Sequence, residues 1–315
     1  MNSVSVLMTV YNGLPYLPLA VESVVRQTLR DFQFVIVNDG STDGSADYLN
    51  GLTDARITIV HQENQGTGPA ANRGLQLCDT EFVARIDADD IAFPTRLERQ
   101  HQFLTDHSDV GLAGTQVAPL GEAGAGRSLA LPTSHEAICR ALCHGRHALS
   151  HSSVMIRTSV LKSIGGYWTQ PLFDDWDMMI RVGEVSRLAN LNEVLHYYRV
   201  HYGSLNGSSM DRVRLSIDFA CESARRRRGG LPPISVEAFK QQRAARPWWQ
   251  RRWERLQNYA LQQYRAASAD LYGGRPLRGR ARLAWAAACA PQLAAERIAR
   301  NVRYSAATTQ PDLAT

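Results

Sequence analysis

The stretch "FQFVIVNDGSTDGS", residues 32–45, carries the pattern from which the architecture follows. From Phe32 to Val37 it is apolar except for Gln33, the composition of a strand buried on both faces. The run stops at Asn38 and Asp39 and gives way to Gly, Ser, Thr and Asp, turn residues whose side chains also cap helices. "SADYLNGL" (45–52) then reads as a helix. The same unit recurs on both sides. "SVSVLMTV" (3–10) is a buried-type strand before a helix in which Leu17, Ala20, Val21, Val24 and Val25 recur at helical spacing. "RITIVHQ" (56–62) is a third strand, followed by the turn "ENQGTG" and a helix with Pro69 near its first turn. "EFVARID" (81–87) is a fourth. Strand and helix alternating this closely predict an α/β fold with a mostly parallel sheet flanked by helices. In such sheets ligands bind beyond the carboxyl ends of the strands. The polar clusters fall there: Tyr11 and Asn12 after the first strand, Asn38 and Asp39 after the second, Asp87 to Asp90 after the fourth.

The last of these clusters, in "RIDADD" (85–90), places three carboxylates within four positions. Like charges this close repel and raise each other's pKa unless something positive sits among them. An acidic turn capping the "FPTRLERQ" helix is one reading; a hard-cation site is the other. Mg²⁺ or Mn²⁺ takes one or two carboxylates together with substrate phosphates. Two other polar loops converging on the same rim favour the cation. Asp89 would be its ligand. Asp87, two residues earlier and on the same side of an extended chain, would reach a ribose hydroxyl or a bound water.

Length and composition fit a soluble globular chain: 315 residues, 44% hydrophobic, 21% charged. The net charge of +5 conceals an asymmetry. Residues 1–210 hold 15 Lys+Arg against 22 Asp+Glu; residues 211–315 hold 20 against 8. An acidic body therefore carries a basic, nearly all-Arg tail, which points to an anionic partner. Five scattered cysteines argue for reduced thiols in a reducing compartment. The opening "MNSVSVLMTVYNG" lacks the basic start of a signal peptide, and no apolar run approaches the ~20 residues of a membrane span.

"VSVLMTVYNG", "VIVNDGSTDGS", "NQGTGPAANRGL" and "ARIDADD", in this order, resemble the family 2 glycosyltransferases of GT-A fold (the nucleotide-diphospho-sugar transferase fold). The resemblance continues through "HSSVMIR", "GGY", "FDDWDMMIR" and "YYRVHYGS", over roughly the first 205 residues. It implies a catalytic domain over 1–210, with a nucleotide-sugar-binding half (1–110) and an acceptor half (111–210). A basic, Arg/Trp-rich helical extension over 211–315, with a disordered end, would follow. It implies that Tyr11 and Asn12 line the nucleotide pocket, that Asp39 recognises the nucleobase, and that Arg73 sits near the donor. Asp87 and Asp89 would hold ribose, Mn²⁺ or Mg²⁺, and diphosphate. Asp174 stands where the family has Glu, Asp175 stands as catalytic base, and His201 matches a histidine near the diphosphate or metal. The implied activity is metal-dependent, inverting transfer of a sugar, from a UDP-sugar in the first instance. The acceptor would be a hydroxyl of a glycan or lipid-linked glycan, in surface polysaccharide biosynthesis.

Two rivals were weighed. A nucleotidyltransferase would need a basic, glycine-rich triphosphate loop after the first strand, and "TVYNGLPY" has no Lys or Arg. A non-catalytic sugar-nucleotide-binding or scaffold protein of the same fold would tolerate loss of Asp39, Asp87, Asp89 or Asp175, all of which are present. In the tail, "RPWWQRRWERL" (246–256) interleaves Trp and Arg. An anionic membrane surface and simple packing on the catalytic body remain equal readings of it, and no nucleic-acid module accompanies it. The expected location is cytoplasmic, or peripheral at the inner face of the cell membrane. "QRRW" (250–253) falls one residue short of the Gln-x-x-Arg-Trp of processive synthases, so few additions per encounter are expected.

Overall fold

The computed structural model describes residues 3–128, 130–169, 174–202, 210–292 and 294–295. Two compact units emerge. The first comprises 1–120, 125–199 and 215–234; the second comprises 121–124, 200–214 and 235–315.

The first unit is built on the βα repeats: β1 (Val4–Val10), α1 (Leu17–Val25), β2 (Phe32–Asp39), α2 (Ser45–Asn50), β3 (Ile57–Gln62), α3 (Thr67–Leu75) and β4 (Phe82–Asp87). These are followed by β5 (Ile91–Ala92), α4 (Arg96–Asp106), β6 (Val110–Gly121), β7 (Gly124–Ala125), α5 (His135–Cys143), β8 (Met155–Arg157), α6 (Thr158–Ser163), α7 (Asp174–Val185) and β9 (Arg187–Arg199). One sheet takes the order β3-β2-β1-β4-β8-β6-β9-β5, with β7 beside β6. The pairs β3/β2, β2/β1, β1/β4 and β6/β9 are parallel; β8 runs against both β4 and β6, and β5 against β9. The GT-A architecture expected from the motifs is therefore the architecture of the chain.

The core explains the near-continuous apolar strands. Val4, Val6, Met8 and Val10 of β1 pack with Phe32, Phe34 and Ile36 of β2, with Phe82, Ala84 and Ile86 of β4, and with the inner face of α1. The alternate residues Leu7, Val35, Val37 and Val83 are buried on the opposite face. Both faces being covered, only the strand ends are free to be polar. The first half of β9 contains a polar residue, Asn190, which is buried and donates to the carbonyls of Pro132 and Ala148 at 2.7 and 2.8 Å.

After β9 come helices: α8 (Met210–Arg228), α9 (Val236–Ala244), α10 (Trp248–Tyr272) and α11 (Pro276–Cys289). The four arginines 225–228 end α8 within the first unit. Arg225 and Arg226 pair with Glu222, and Arg227 pairs with Glu184 and Asp177. Arg228 donates to Cys143 Sγ and lies 3.8 Å from Glu184. These four charges are thus met by acceptors of their own unit. Among the described residues no helix is long and apolar enough to cross a membrane.

Ile36 is fully buried at the centre of β2. Ile36→Ala is expected to lower unfolding free energy by about 2–5 kcal/mol. In urea titration this should appear as a lower midpoint at unchanged slope.

Candidate active site

The parallel register brings three loops to one rim. Val10 lies opposite Asn38, Thr9 opposite Asp87, and Asp39 opposite Gln62. The residues that leave β1, β2 and β4 therefore meet at the carboxyl edge of the sheet, as the pattern required.

The first two loops are laced together. The Asn12 N–H donates to Ser41 Oγ, Asn12 Oδ1 accepts from the Thr42 N–H, and the Gly13 N–H donates to Ser45 Oγ, at 2.8–3.0 Å. The Leu14 and Ser45 N–H groups both donate to the Asp43 carboxylate. Asn12 has φ +52°, a left-handed conformation that asparagine tolerates better than most residues, and it turns the chain sharply off β1. Tyr11 is left half in solvent, at 51% exposure. The second and third loops also touch: a Cβ on Gly40, itself at φ +75°, would come within 2.7 Å of the Asn64 backbone nitrogen.

Asp39 is buried and held by three donors: Gln62 Nε2 at 2.8 Å and the Gln65 and Gly66 N–H groups at 2.9 Å. α3 begins at Gly66, which has no side chain to cap it. The carboxylate from the neighbouring strand supplies the missing acceptor, in the field of a helix N-terminus that favours an anion. Arg73 is exposed on α3, and its hydrogen bond goes to Gln76 at 3.4 Å, not to the aspartates.

The carboxylate oxygens of Asp87, Asp89 and Asp90 all lie within 4.8 Å of one another. The three are not equivalent. Asp90 is fully buried; it accepts from the Arg199 N–H at 2.8 Å on Oδ1 and from His196 Nε2 at 2.9 Å on Oδ2. His196 Nδ1 faces Arg96 Nη1 at 3.5 Å, and a guanidinium can only donate. Nδ1 is therefore the bare nitrogen, and the imidazole proton sits on Nε2, which lies between Asp90 Oδ2 at 2.9 Å and Ser152 Oγ at 3.0 Å. Burial, and then the Arg96 charge, hold His196 well below its ordinary pKa, so the ring is neutral. Burial, and then the charge of Asp89, raise the Asp90 carboxyl above the usual carboxylate range. Asp87 and Asp89 remain partly exposed.

Three arginines offset this cluster. Arg85 is buried on β4, two residues before Asp87 and on the same side of the strand; its guanidinium lies 3.7 Å from the Asp87 carboxylate. Arg96 is fully buried and donates to the Arg85 carbonyl at 2.6 Å; burial pulls its pKa down to about 9, with Asp90 and Asp87 acting the other way. Arg199, the last residue of β9, donates from Nε to the Asp89 carbonyl at 2.6 Å and lies over the Tyr16 ring at 4.4 Å. Its Nη2 is buried with no partner among the described residues. Two half-exposed carboxylates beside a buried, unmatched guanidinium N–H form a donor set suited to a hard cation with a phosphate anion.

A second line of contacts runs from this strand to α7. The Arg85 guanidinium lies 5.8 Å from the centre of the Tyr167 ring. Asn72 clamps the Tyr167 backbone, accepting from its N–H at 2.8 Å and donating to its carbonyl at 2.7 Å. Arg181 of α7 donates to the Ile164 and Gly166 carbonyls and, through Nε, to Asp177 at 2.6 Å. Arg181 thus pairs with Asp177 rather than Asp175. Asp175, in the first turn of α7, is partly exposed, and its Oδ1 accepts from the Trp176 N–H. Trp176 is a core residue whose Nε1 donates to the Leu142 carbonyl. His151 is half-buried against Tyr167, with its pKa lowered by desolvation and then by Arg85. The Asp174 side chain lies outside the described residues, as do 170–173 and 203–209 with the end of "YRVHYGS". His201 belongs to the second unit.

Sequence reasoning passed over Arg85, Asp90 and Arg199. For Arg85 the signal was available: period two places it beside Asp87. Asp90 and Arg199 are 109 positions apart, and no local pattern joins them.

The aspartates should separate by experiment. Asp90→Asn would set an amide N–H₂ against a donor and is expected to destabilise by about 1–3 kcal/mol. Asp87→Asn and Asp89→Asn remove like charge from a half-exposed cluster, so metal-free protein should melt no lower than wild type. Thermal melts of the three variants side by side decide this; an Asp89 variant as unstable as the Asp90 one would make Asp89 structural.

Comparison with known proteins agrees with this geometry. The family model "Glycosyl transferase family 2" matches residues 5–165, half of the chain. The amylovoran biosynthesis glycosyltransferase AmsE of Erwinia amylovora is 30% identical over 208 residues, covering 64% of this chain and 78% of AmsE. Staphylococcus aureus TarS, solved with UDP-GlcNAc, superimposes with a TM-score of 0.62 at 17% identity, over 90% of this chain and 88% of the TarS chain. The mannosyltransferase PcManGT of Pyrobaculum calidifontis, solved with GDP-Man and Mn²⁺, gives 0.55 at 18% identity, over 98% and 81%. At these identities the two structures speak to fold alone. With the family motifs gathered at the carboxyl rim of such a sheet, the chain belongs to the family 2 glycosyltransferases.

Proposed function

We propose that the protein is an inverting, metal-dependent glycosyltransferase moving a sugar from a nucleoside diphosphate donor to a hydroxyl of a glycan or lipid-linked glycan, in surface polysaccharide assembly. The observation that carries this is the half-exposed Asp87–Asp89 pair at the sheet rim, next to the unmatched Nη2 of Arg199. AmsE, named for a polysaccharide, and the nucleotide-sugar and Mn²⁺ complexes of TarS and PcManGT point the same way.

In this reading Asp89 holds Mn²⁺ or Mg²⁺, Asp87 takes a ribose hydroxyl or a bound water, and Arg199 donates to the diphosphate. The cation, when bound, offsets the negative charge that develops on the departing nucleoside diphosphate. Tyr11 and Asn12 flank the nucleotide. Asp39 has three donors on a carboxylate with about four acceptor sites, which leaves one for a nucleobase N–H, uracil first. Arg73 belongs to the donor side, as the resemblance implies. Asp175 takes the proton of the acceptor hydroxyl as its oxygen bonds to the anomeric carbon and the carbon–oxygen bond to the diphosphate breaks. Attack opposite the leaving group inverts the anomeric centre. Asp175 stands in the first turn of α7, where the field of a helix N-terminus favours an anion. A non-catalytic binding protein of this fold would need none of Asp175.

Calorimetry with UDP and GDP, with and without Mn²⁺, tests the donor side. Mn²⁺-dependent binding of UDP that disappears in Asp89→Ala is expected; metal-independent binding, or none, would sink the assignment. For the base, Asp175→Asn should lower kcat by about 10²–10⁴-fold while the dissociation constant for the donor nucleotide stays put. Loss of nucleotide binding together with turnover would move Asp175 from base to donor site.

A further inference from the structure

The second unit holds features the reaction does not use. It contains 16 Lys+Arg against 7 Asp+Glu, a net +9, whereas the first unit is net −4. On α10 five large apolar side chains stand in solvent: Trp248 at 69% exposure, Trp249 at 57%, Trp253 at 45%, with Leu256 and Tyr259. Trp285 of α11, 56% exposed, donates to the Tyr259 hydroxyl and extends the patch onto a second helix. At ~100° per residue the α10 side chains occupy one arc of roughly 140°, in the order Trp248, Tyr259, Arg252, Leu256, Trp249, Trp253. An apolar stripe of that width on a soluble helix normally faces a core. Here it faces outward.

The charges around it are unmatched. Arg251, Arg252 and Arg255 are exposed and pair with no carboxylate among the described residues. The nearest acid in sequence, Glu254, is held by Arg243 and Arg246. This argues against a second copy as the occupant. A two-fold contact through this face would bring the three arginines of each copy towards the same patch of the other, where the described acids beside this part of α10 are Glu254, already paired, and Asp211, which accepts from Asn258. Between Trp248 and Tyr259 the arc holds no Asn, Gln, Ser or Thr for base edges. Large aromatics with leucine, bordered by arginines, match the headgroup layer of a bilayer. There the rings lie at the acyl boundary, the guanidinium groups meet lipid phosphates, and arginine stems reach outward.

We propose that this face of α10, with Trp285, is a docking surface for an anionic lipid bilayer. It holds the second unit on the surface through α10 and Trp285. The proposal does not rest on the glycosyl-transfer assignment, because its test needs no turnover.

The test is flotation of the full-length protein with phosphatidylcholine vesicles, with and without phosphatidylglycerol, followed by tryptophan emission. Wild type should float with the anionic vesicles, with a blue-shifted emission, and the interaction should weaken with salt. Changing Arg251, Arg252 and Arg255 together to Gln should weaken binding about 100-fold, on the order of fivefold per arginine. Trp248→Ala with Trp249→Ala and Trp253→Ala should weaken it by on the order of tenfold or more. These side chains are exposed, so both variants should melt with wild type and bind nucleotide as wild type does. Equal flotation with uncharged vesicles would overturn the proposal. So would the absence of flotation, whether the protein instead shows a concentration-dependent dimer lost in the tryptophan variant or salt-sensitive binding to single-stranded RNA.

Discussion

Three carboxylates in one turn repel one another unless cations stand among them, and much of the site follows from how that repulsion is offset. Arg85 comes from the same strand, Arg96 from the following helix, and Arg199 from the far end of β9. The result is uneven by construction. Asp90 is consumed by His196 and the Arg199 backbone deep in the protein, which ties the aspartate turn to β9. Asp87 and Asp89 are left nearer to solvent. A buried acid fixes the turn while the other two stay partly exposed.

The same economy of parts appears around Asp39. Its carboxylate caps a helix that has no capping side chain of its own, so a residue counted as a ligand-binding candidate is also a structural tie between β2 and the loop into α3. Such dual use places the candidate binding groups on rigid elements. It also means that their substitution disturbs structure and binding together, and stability must be read alongside affinity. The network through Tyr167, Asn72 and Arg181 has the corresponding effect at α7. It ties the middle of that helix to the 164–167 segment through the Arg181 side chain.

The helical part after β9 divides by charge balance. The four consecutive arginines of α8, the most conspicuous basic run in the chain, are answered by Glu222, Glu184, Asp177 and Cys143. The arginines interleaved with Trp at the start of α10 are not, among the described residues. Density of charge along a chain is therefore a poor guide to where charge is free. What matters is whether folding brings an opposite charge to it.

Much of the framework was determined by the sequence alone. Apolar runs of strand length ending in polar turns dictate a parallel sheet, because strands covered on both faces can be polar only at their ends. That logic placed Tyr11, Asn12, Asp39, Asp87 and Asp89 on one rim. Local signals also bounded β2 and β6. What the tertiary structure decided were the partnerships. Asp90 joins His196 and Arg199 across more than a hundred residues, Arg181 chooses Asp177, Trp176 packs in the core, and Asn190 is buried in a strand. Periodicity along the chain reports which face a residue occupies. Which other residue stands there is set by packing of distant segments, and that alone separates the aspartates that hold the fold from those left open to a ligand.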